Sequence, residues 1–307
     1  MAYSTLKVRS SHGVAFVTLD HPPLNLLDQA LIADLAALRD DLARDDSVRV
    51  IVFDSANPEF FIAHGDMAVV RDPAVLAYLA EMDGPAPITA LVDSYRALEK
   101  VTIGKVSGYA RGAGSEFLLA LDMRFAADGT AWFGQPETAL GIFPGSGGTR
   151  YLPQATGRAR ALEIILGADR FDARAAERYG WINRALPPGE LDDYVERLAL
   201  RIASHPAEAV RAAKQCVDAA DAQAEDRLIR QLFLSDEALG RMGRALDAGA
   251  QTRTGELGLE ELIERANPVL PSRKARRPAW SPAREPRRPG SGGGHGRAVE
   301  REPPCPR

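Results

Sequence analysis

The stretch from Gly108 to Arg150 reads GYARGAGSEFLLALDMRFAADGTAWFGQPETALGIFPGSGGTR and holds the most informative pattern in the chain. It predicts a strand, then the small residues Gly112, Ala113 and Gly114, and then a helix. Small residues at a helix N-terminus let backbone N–H groups point into open space, where these unpaired donors and the helix dipole favour negative charge. The pattern therefore predicts an anion or oxyanion site at this turn.

Two glutamates lie in the same stretch. Glu116 falls in the first turn of the predicted helix, and Glu137 follows in Gly-Gln-Pro-Glu, after the aromatic pair Trp132 and Phe133. Two carboxylates near an oxyanion site indicate acid/base work on a carbonyl substrate. The alternatives are a carboxylate that stabilises the helix dipole, for Glu116, and a solvated loop charge, for Glu137. The residues alone leave both alternatives open, and the Gly-rich segments match neither G-x-G-x-x-G nor a P-loop.

On either side of this stretch, apolar and β-branched runs alternate with segments of helical period. One predicted helix spans Asp28–Asp45 with Asp28 as its N-cap, and another spans Ser115–Asp122. This alternation predicts an α/β fold with crossover connections. After Pro153 the chain is predicted to be nearly all helical, with apolar faces that need a partner surface from the first half or a neighbouring subunit. The four predicted strands are Val14–His21, Val48–Ser55, Val101–Gly108 and Met123–Asp128.

Composition excludes several classes of protein. The chain has 307 residues, 45% hydrophobic and 26% charged, which is typical of a globular protein. It contains no run of about 20 apolar residues that could span a membrane, and its N-terminus lacks the apolar core of a secretory signal. Cys216 and Cys305 form neither a disulfide framework nor a zinc motif, so we expect a reducing, cytoplasmic setting.

The net charge of −4 hides an uneven distribution. From Ser272 to Arg307 there are 10 Lys and Arg against 3 Asp and Glu, which leaves 28 against 39 in residues 1–271. An acidic body of this kind does not indicate a nucleic-acid partner. The basic segment has 12 Pro or Gly among 36 residues and few aliphatic ones, so we predict that it is disordered. It is either a solvated extension or a segment that binds RNA or an acidic surface.

Six separated segments, taken together and in order, resemble the enoyl-CoA hydratase/isomerase (crotonase) superfamily. The resemblance runs from about Thr5 to about Asn267. Its strongest parts are Gly108–Glu116, Phe133–Glu137 and Gly141–Arg150. Supporting parts are His21–Asn25, Phe61–Asp66 and Ala159–Leu186.

The resemblance implies a fold and a substrate class. The fold is a crotonase-like spiral of ββα units with a C-terminal α-helical trimerisation region. We accordingly divide the chain into a core spiral at 1–200, a helical region at 201–270 and the disordered basic tail at 271–307. The substrate is an acyl-CoA thioester, as in fatty acid metabolism, and coenzyme A is part of that substrate rather than a cofactor. We expect no metal, no membrane partner and a homotrimer or hexamer.

The resemblance also implies residue roles. The backbone N–H groups of Gly65 and Ala113 match an oxyanion hole for the thioester oxygen. Glu137 matches the residue that transfers the Cα proton, and Glu116 matches the one that holds and activates water. Further substrate or CoA contacts are expected at Pro23, Leu24, Ala63, His64, Asp66, Met67 and Gly112.

One residue departs from the family pattern. His64 stands where the family usually has glycine, so its ring could narrow the oxyanion loop or reach the thioester or CoA, or could point away and leave the backbone unchanged. With both glutamates matched, the expected activity is hydration of a trans-2-enoyl-CoA to a 3-hydroxyacyl-CoA, or the reverse dehydration. Two alternatives stay open. One is Δ3–Δ2 enoyl-CoA isomerisation, for which Glu137 alone would suffice. The other is a non-catalytic protein that binds acyl-CoA.

Overall fold

The computed structural model describes residues 3–267, and the predicted disordered tail at 271–307 lies outside the described residues. The strands are β1 Leu6–Ser11, β2 Val14–Leu19, β3 Val50–Ser55, β4 Phe60–Ile62, β5 Val101–Val106, β6 Tyr109–Arg111, β7 Met123–Ala127, β8 Trp132–Gly134, β9 Arg170–Asp172 and β10 Arg184–Leu186. The helices are α1 Gln29–Arg44, α2 Pro73–Glu81, α3 Pro87–Arg96, α4 Ala113–Ala120, α5 Gly148–Thr156, α6 Arg158–Gly167, α7 Ala173–Tyr179, α8 Pro188–Ala203, α9 Ala207–Ala219, α10 Ala222–Phe233, α11 Asp236–Asp247, α12 Arg253–Glu256 and α13 Leu259–Ala266. Two 3₁₀ helices span Met67–Arg71 and Glu137–Leu140.

The strands form two sheets. The larger has six strands in the order β1-β2-β3-β5-β7-β10, parallel throughout except for the β1–β2 hairpin. The smaller has four strands in the order β4-β6-β8-β9. Three consecutive units, beginning at β3, β5 and β7, each place one strand in the larger sheet and the next in the smaller sheet before the chain turns into helix. This repetition confirms the predicted α/β spiral of ββα units.

The predicted elements follow from local sequence. The Asp28 side chain accepts the N–H of Leu31 and caps α1, which contributes about 1 kcal/mol. Leu31, Leu35, Leu38 and Leu42 then form one buried stripe along this helix. All four predicted strands are present as β2, β3, β5 and β7. The chain after Pro153 is mostly helical as predicted, but it also contains β9 and β10, each of which pairs through only three residues.

Buried packing fixes α4, and every residue of this helix is buried. Phe117 of α4 meets Phe53 of β3 and Tyr95 of α3 edge to face, with ring centroids 5.4 and 5.1 Å away. At the C-terminal end of α4, the Arg124 guanidinium donates to the carbonyl oxygens of Leu118 and Leu121, at 3.3 and 2.6 Å. The Leu121 carbonyl is an acceptor that the end of the helix leaves unpaired, so this contact fixes the C-terminal end of α4.

The region from α9 onward carries many exposed apolar side chains. The large ones are Val217, Ile229, Phe233, Leu234, Leu239, Met242, Leu246, Leu257 and Ile263. Side chains of this kind in such number are typical of a surface that meets a partner. Within residues 3–267, none of the helices combines the length and the apolar character needed to cross a bilayer.

Candidate active site

The turn between β6 and α4 has the conformation that its small residues predict. Gly112 has φ of 50°, in the left-handed region that favours glycine. Its N–H donates to the carbonyl of Gly134 at 2.9 Å, and its own carbonyl accepts the N–H of Glu116 at 2.9 Å. The N–H of Ala113, at the first position of α4, has no partner within the helix. Close packing also requires Gly114, because a Cβ there would lie 2.4 Å from the carbonyl oxygen of Ile62.

Gly65 lies beside this turn on a separate segment. A parallel β-bridge pairs Gly65 with Leu27. The Leu27 N–H donates to the carbonyl of His64 at 3.0 Å, and the Asp66 N–H donates to the carbonyl of Leu27 at 3.3 Å. Because backbone polar groups alternate in direction along a strand, the N–H and C=O of Gly65 itself face away from Leu27. A Cβ on Gly65 would lie 3.4 Å from the Cβ of Ala113. The two predicted oxyanion-hole residues are therefore close neighbours.

Glu116 is a buried carboxylate with defined donors. It is 3% exposed, and its Oε1 accepts the backbone N–H groups of Ser146 and Gly148, each at 2.8 Å. Burial raises the pKa of Glu116, while the hydrogen bonds from Gly148 and Ser146 and the charge of Arg150 oppose that rise. The carboxylate thus bonds to the start of α5, a different helix from the one that carries it.

Glu137 is buried as well, at the start of the 3₁₀ helix Glu137–Leu140. It is 9% exposed, and its Oε2 has no hydrogen-bond partner among residues 3–267. Burial raises the pKa of Glu137 to about 7, and the nearby charge of Glu116 adds to this rise. These features argue against a solvated loop charge. A carboxyl group with such a pKa can hold or release a proton near neutral pH.

Gly112 connects the two carboxyl groups. Glu137 Oε1 lies 2.6 Å from the place where a Cβ on Gly112 would stand, and Gly112 is the N-cap of the helix that carries Glu116. The charge of Glu116 disfavours ionisation of Glu137. The structure therefore brings Glu116, Glu137, Gly65, Ala113 and Gly112 together around one helix N-terminus.

His64 faces the same turn. Its Cβ lies 3.8 Å from the Cβ position of Gly112. Its Nδ1 is 2.7 Å from the carbonyl oxygen of Gly65, and because a carbonyl can only accept, Nδ1 carries the proton. The ring thus bonds to the backbone of the neighbouring residue, which leaves Nε2 available to another group.

The loop with Pro23 and Leu24 runs alongside the Gly65 segment. Ala63 N–H donates to the carbonyl of Leu24 at 3.3 Å, and the Asn57 side chain donates to the carbonyl of Pro23 at 2.7 Å. The sequence did not single out Asn25 as a positioning residue, although its buried side chain holds this loop by donating to the carbonyl of Phe61 at 3.0 Å.

Asp66 and Met67 begin the next segment. The Asp66 side chain accepts the N–H of Ala68 at 2.8 Å and caps the 3₁₀ helix Met67–Arg71, while the Met67 side chain is 52% exposed. Asp66 therefore has a local structural role, whatever its contact with a substrate.

Sequence reasoning also missed Gln135, Ser146 and Gly148. Gln135 is fully buried, and neither polar atom of its side chain has a partner among residues 3–267. Its Nε2 and the Oε1 of Glu116 each lie 3.1 Å from the Cβ position of Gly148. The signal for Gln135 was present in Gly-Gln-Pro-Glu, two residues before Glu137. Within residues 3–267, no group of three or more His, Cys, Asp and Glu side chains is arranged to hold a metal ion.

Comparison with known proteins identifies the family. The sequence matches the family described as enoyl-CoA hydratase/isomerase over residues 9–261. The Mycobacterium bovis protein named "Probable enoyl-CoA hydratase echA8" is 33% identical over 221 residues, which cover 72% of this chain and 83% of the relative. The 2,3-dehydroadipyl-CoA hydratase of Escherichia coli K12 is 32% identical over 255 residues, which cover 82% of this chain and 97% of the relative.

Solved structures show the same fold. A crystal structure of a provisionally named enoyl-CoA hydratase from Streptomyces avermitilis is 46% identical, with a TM-score of 0.67 and coverage of 86% of this chain and 99% of that one. Pseudomonas aeruginosa DspI is 29% identical, with a TM-score of 0.65 and coverage of 81% and 97%. The names of the relatives support the enoyl-CoA hydratase class of enzyme for this protein. The extent of the family match, with relatives above 30% identity, shows that the chain belongs to the enoyl-CoA hydratase/isomerase (crotonase) family.

Proposed function

We propose that this protein catalyses the reversible addition of water across the 2,3 double bond of an enoyl-CoA thioester, which gives the 3-hydroxyacyl-CoA. The observation that carries the proposal is the pair of buried carboxyl groups, Glu116 and Glu137, beside the N-terminal turn of α4. The reaction transfers water and protons but no electrons, so it takes no redox cofactor. Coenzyme A enters as part of the substrate.

Negative charge moves onto the thioester oxygen when water adds to Cβ. In this proposal the N–H groups of Gly65 and Ala113 donate to that oxygen, and the N-terminus of α4 adds its dipole. Such donors stabilise the enolate-like state more than the ground state, and removal of one typically costs about 10²–10³ in rate. Backbone donors also explain why small residues, rather than polar side chains, mark this part of the sequence.

The two glutamates divide the proton transfers. Glu116, ionised and held by two backbone N–H groups, takes a proton from water as the water oxygen bonds to Cβ. The π electrons shift toward the thioester oxygen, and protonated Glu137 then donates its proton to Cα. Dehydration reverses each step. The pKa of Glu137, raised to about 7, fits this assignment, because a carboxyl group of this kind can hold a proton near neutral pH.

The proposed substrate contacts surround these groups. Pro23, Leu24 and Ala63 border the proposed coenzyme A position, and Gly112 leaves room for the Glu137 carboxyl group beside the proposed thioester position. His64 Nε2, Asp66 and Met67 are further candidates at the same edge. The exposed apolar side chains from α9 onward support a homotrimer or hexamer formed through the helical region.

A panel of purified enoyl-CoA thioesters tests the proposal, with loss of conjugated absorbance as the readout. Crotonyl-CoA and 2,3-dehydroadipyl-CoA belong in the panel, because relatives at 30% and 32% identity are named for hydration of these compounds. Hydration removes the conjugation. An increase in absorbance from 3-enoyl-CoA would instead indicate isomerisation. Tight CoA binding without turnover of any thioester would indicate a non-catalytic protein and would refute the proposal.

A further inference from the structure

Helix α3 contacts the segment that donates hydrogen bonds to the Glu116 carboxylate. The Thr89 hydroxyl lies 3.2 Å from the Ser146 hydroxyl, and Ser146 N–H is one of the two donors to Glu116. Packing between the helix and this segment is close, because a Cβ on Gly147 would lie 3.1 Å from the side chain of Val92 on α3. Gly147 has φ of 126°, so this position is suited to glycine.

A second tie joins α3 to the first turn of α5. The Arg150 guanidinium donates to the Asp93 carboxylate at 2.6 Å, and the Tyr151 hydroxyl donates to the same oxygen at 2.7 Å. Arg150 comes two residues after Gly148, whose N–H is the other donor to Glu116. The pair therefore anchors the turn that presents this donor.

The positive charge of Arg150 also favours the ionised form of Glu116. The elements packed against α4, together with the 3₁₀ helix Glu137–Leu140, carry the following charged or titratable side chains: Asp93, Tyr95, Arg96, Tyr109, Arg111, Glu137, Arg150 and Tyr151. Among these, Arg150 lowers the pKa of Glu116, against the effect of burial. The Arg150 side chain is 44% exposed, so solvent and salt screen its charge.

We propose that Arg150, anchored by Asp93 and Tyr151, is a positioning residue that keeps the Glu116 carboxylate in place and ionised through the first turn of α5. This inference rests on the proposed function, since it assigns Arg150 a part in holding the proposed water-activating base. Arg150 does not touch the reacting atoms in this scheme. It acts through the N–H groups of Ser146 and Gly148 and through its own positive charge.

The test compares Arg150→Gln, which removes the charge and loosens the anchor, with Arg150→Lys, which keeps the charge. Arg174→Gln is the matched control, because it breaks another exposed Arg–Asp pair, with Asp128, outside the site. For Arg150→Gln we expect kcat to fall by roughly 10-fold with little change in KM, since small displacements of a catalytic group cost rate. The acid limb of the pH profile should move to higher pH. Arg150→Lys should keep the limb near that of the wild type.

A second measurement does not depend on the reaction. NMR titration of ¹³C-labelled glutamate, with the Glu116 signal assigned from Glu116→Gln, reports the pKa of Glu116 directly. Arg150→Gln should raise that pKa, and Arg174→Gln should leave it unchanged. If Arg150→Gln leaves both the titration and the acid limb at the wild-type values, the positioning role is wrong. If the wild type hydrates no enoyl-CoA, the proposed function fails, and the NMR titration still decides the role of Arg150.

Discussion

The carboxyl group of Glu137 occupies the space that a side chain at Gly112 would need, with Oε1 2.6 Å from the Cβ position. The glycine is therefore required twice, once by its φ of 50° and once by this contact. Because Gly112 also precedes Ala113, its conformation sets the direction of the first N–H of α4. One residue thus determines the relation between the proposed proton donor and the proposed oxyanion donor.

Gly112→Ala should abolish most of the activity while the protein stays folded. The methyl group would displace the Glu137 carboxyl, and this sparsely populated backbone conformation would cost about 1–3 kcal/mol for alanine. We expect kcat/KM for hydration to fall by about 10² or more, measured by loss of conjugated absorbance. Gly129→Ala is the control, because Gly129 has φ of 83° but nothing lies within 4 Å of its Cβ position. Equal losses of activity in both variants would show that backbone strain, not the Glu137 contact, matters.

Glu116→Gln should separate hydration from isomerisation. Glutamine can still accept the N–H groups of Ser146 and Gly148, so the local structure should persist, but it cannot take a proton from water. Loss of a general base typically costs 10²–10⁴ in rate, and we expect hydration to fall by about that factor. Any conversion of a 3-enoyl-CoA to its 2-enoyl isomer needs only Glu137 and should survive. Hydration within a few-fold of the wild type would remove Glu116 from the mechanism.

Much of the fold could be predicted because its longer helices and strands repeat an apolar pattern over many residues. Four leucines at helical spacing behind Asp28 predict α1, and β-branched runs predict β2, β3 and β5. The strands β4, β6, β8 and β9 could not be predicted this way. Each has three residues, too few to display a period of two, and each depends on pairing with a distant strand.

The two glutamates of the candidate site could be predicted because the proposed chemistry depends on their side chains. Glu116 and Glu137 stand out in the sequence, and the structure buries both and places the Glu137 carboxyl group against Gly112. The donors to Glu116 could not be found, because Ser146 and Gly148 act through backbone N–H groups 30 and 32 residues away. A backbone donor is available from every residue except proline, so only the folded chain shows which ones are used.

The activity should have a bell-shaped pH profile with a basic limb near pH 7. Hydration needs ionised Glu116 and protonated Glu137, so the active form of the pair holds one proton. Activity should fall as pH drops through the pKa of Glu116, which burial raises above its usual value, and as pH rises through the pKa of Glu137, about 7. Dehydration also needs one proton on the pair and should show the same profile. A flat profile for kcat/KM between pH 6 and 9 would contradict the assignment of Glu137.

Glu137→Gln should stabilise the protein at alkaline pH. The usual pKa of this carboxyl group is 4.5, whereas burial raises it to about 7 in the folded protein. Below pH 4.5 the carboxyl group is protonated in both the folded and the unfolded protein. Between pH 4.5 and 7 the unfolded chain releases this proton while the folded protein keeps it. Ionisation therefore stabilises the unfolded chain, and the wild type loses stability over this window. Glutamine, which is always neutral, avoids that loss. We expect a gain on the order of 2 kcal/mol in the free energy of unfolding at pH 8, and none near pH 4.5, in urea denaturation.

The control is Glu196→Gln, an exposed position on α8 that should show no such pH dependence. A Glu137→Gln variant equal to or less stable than the wild type at pH 8 would mean that Glu137 is not a destabilised, buried acid.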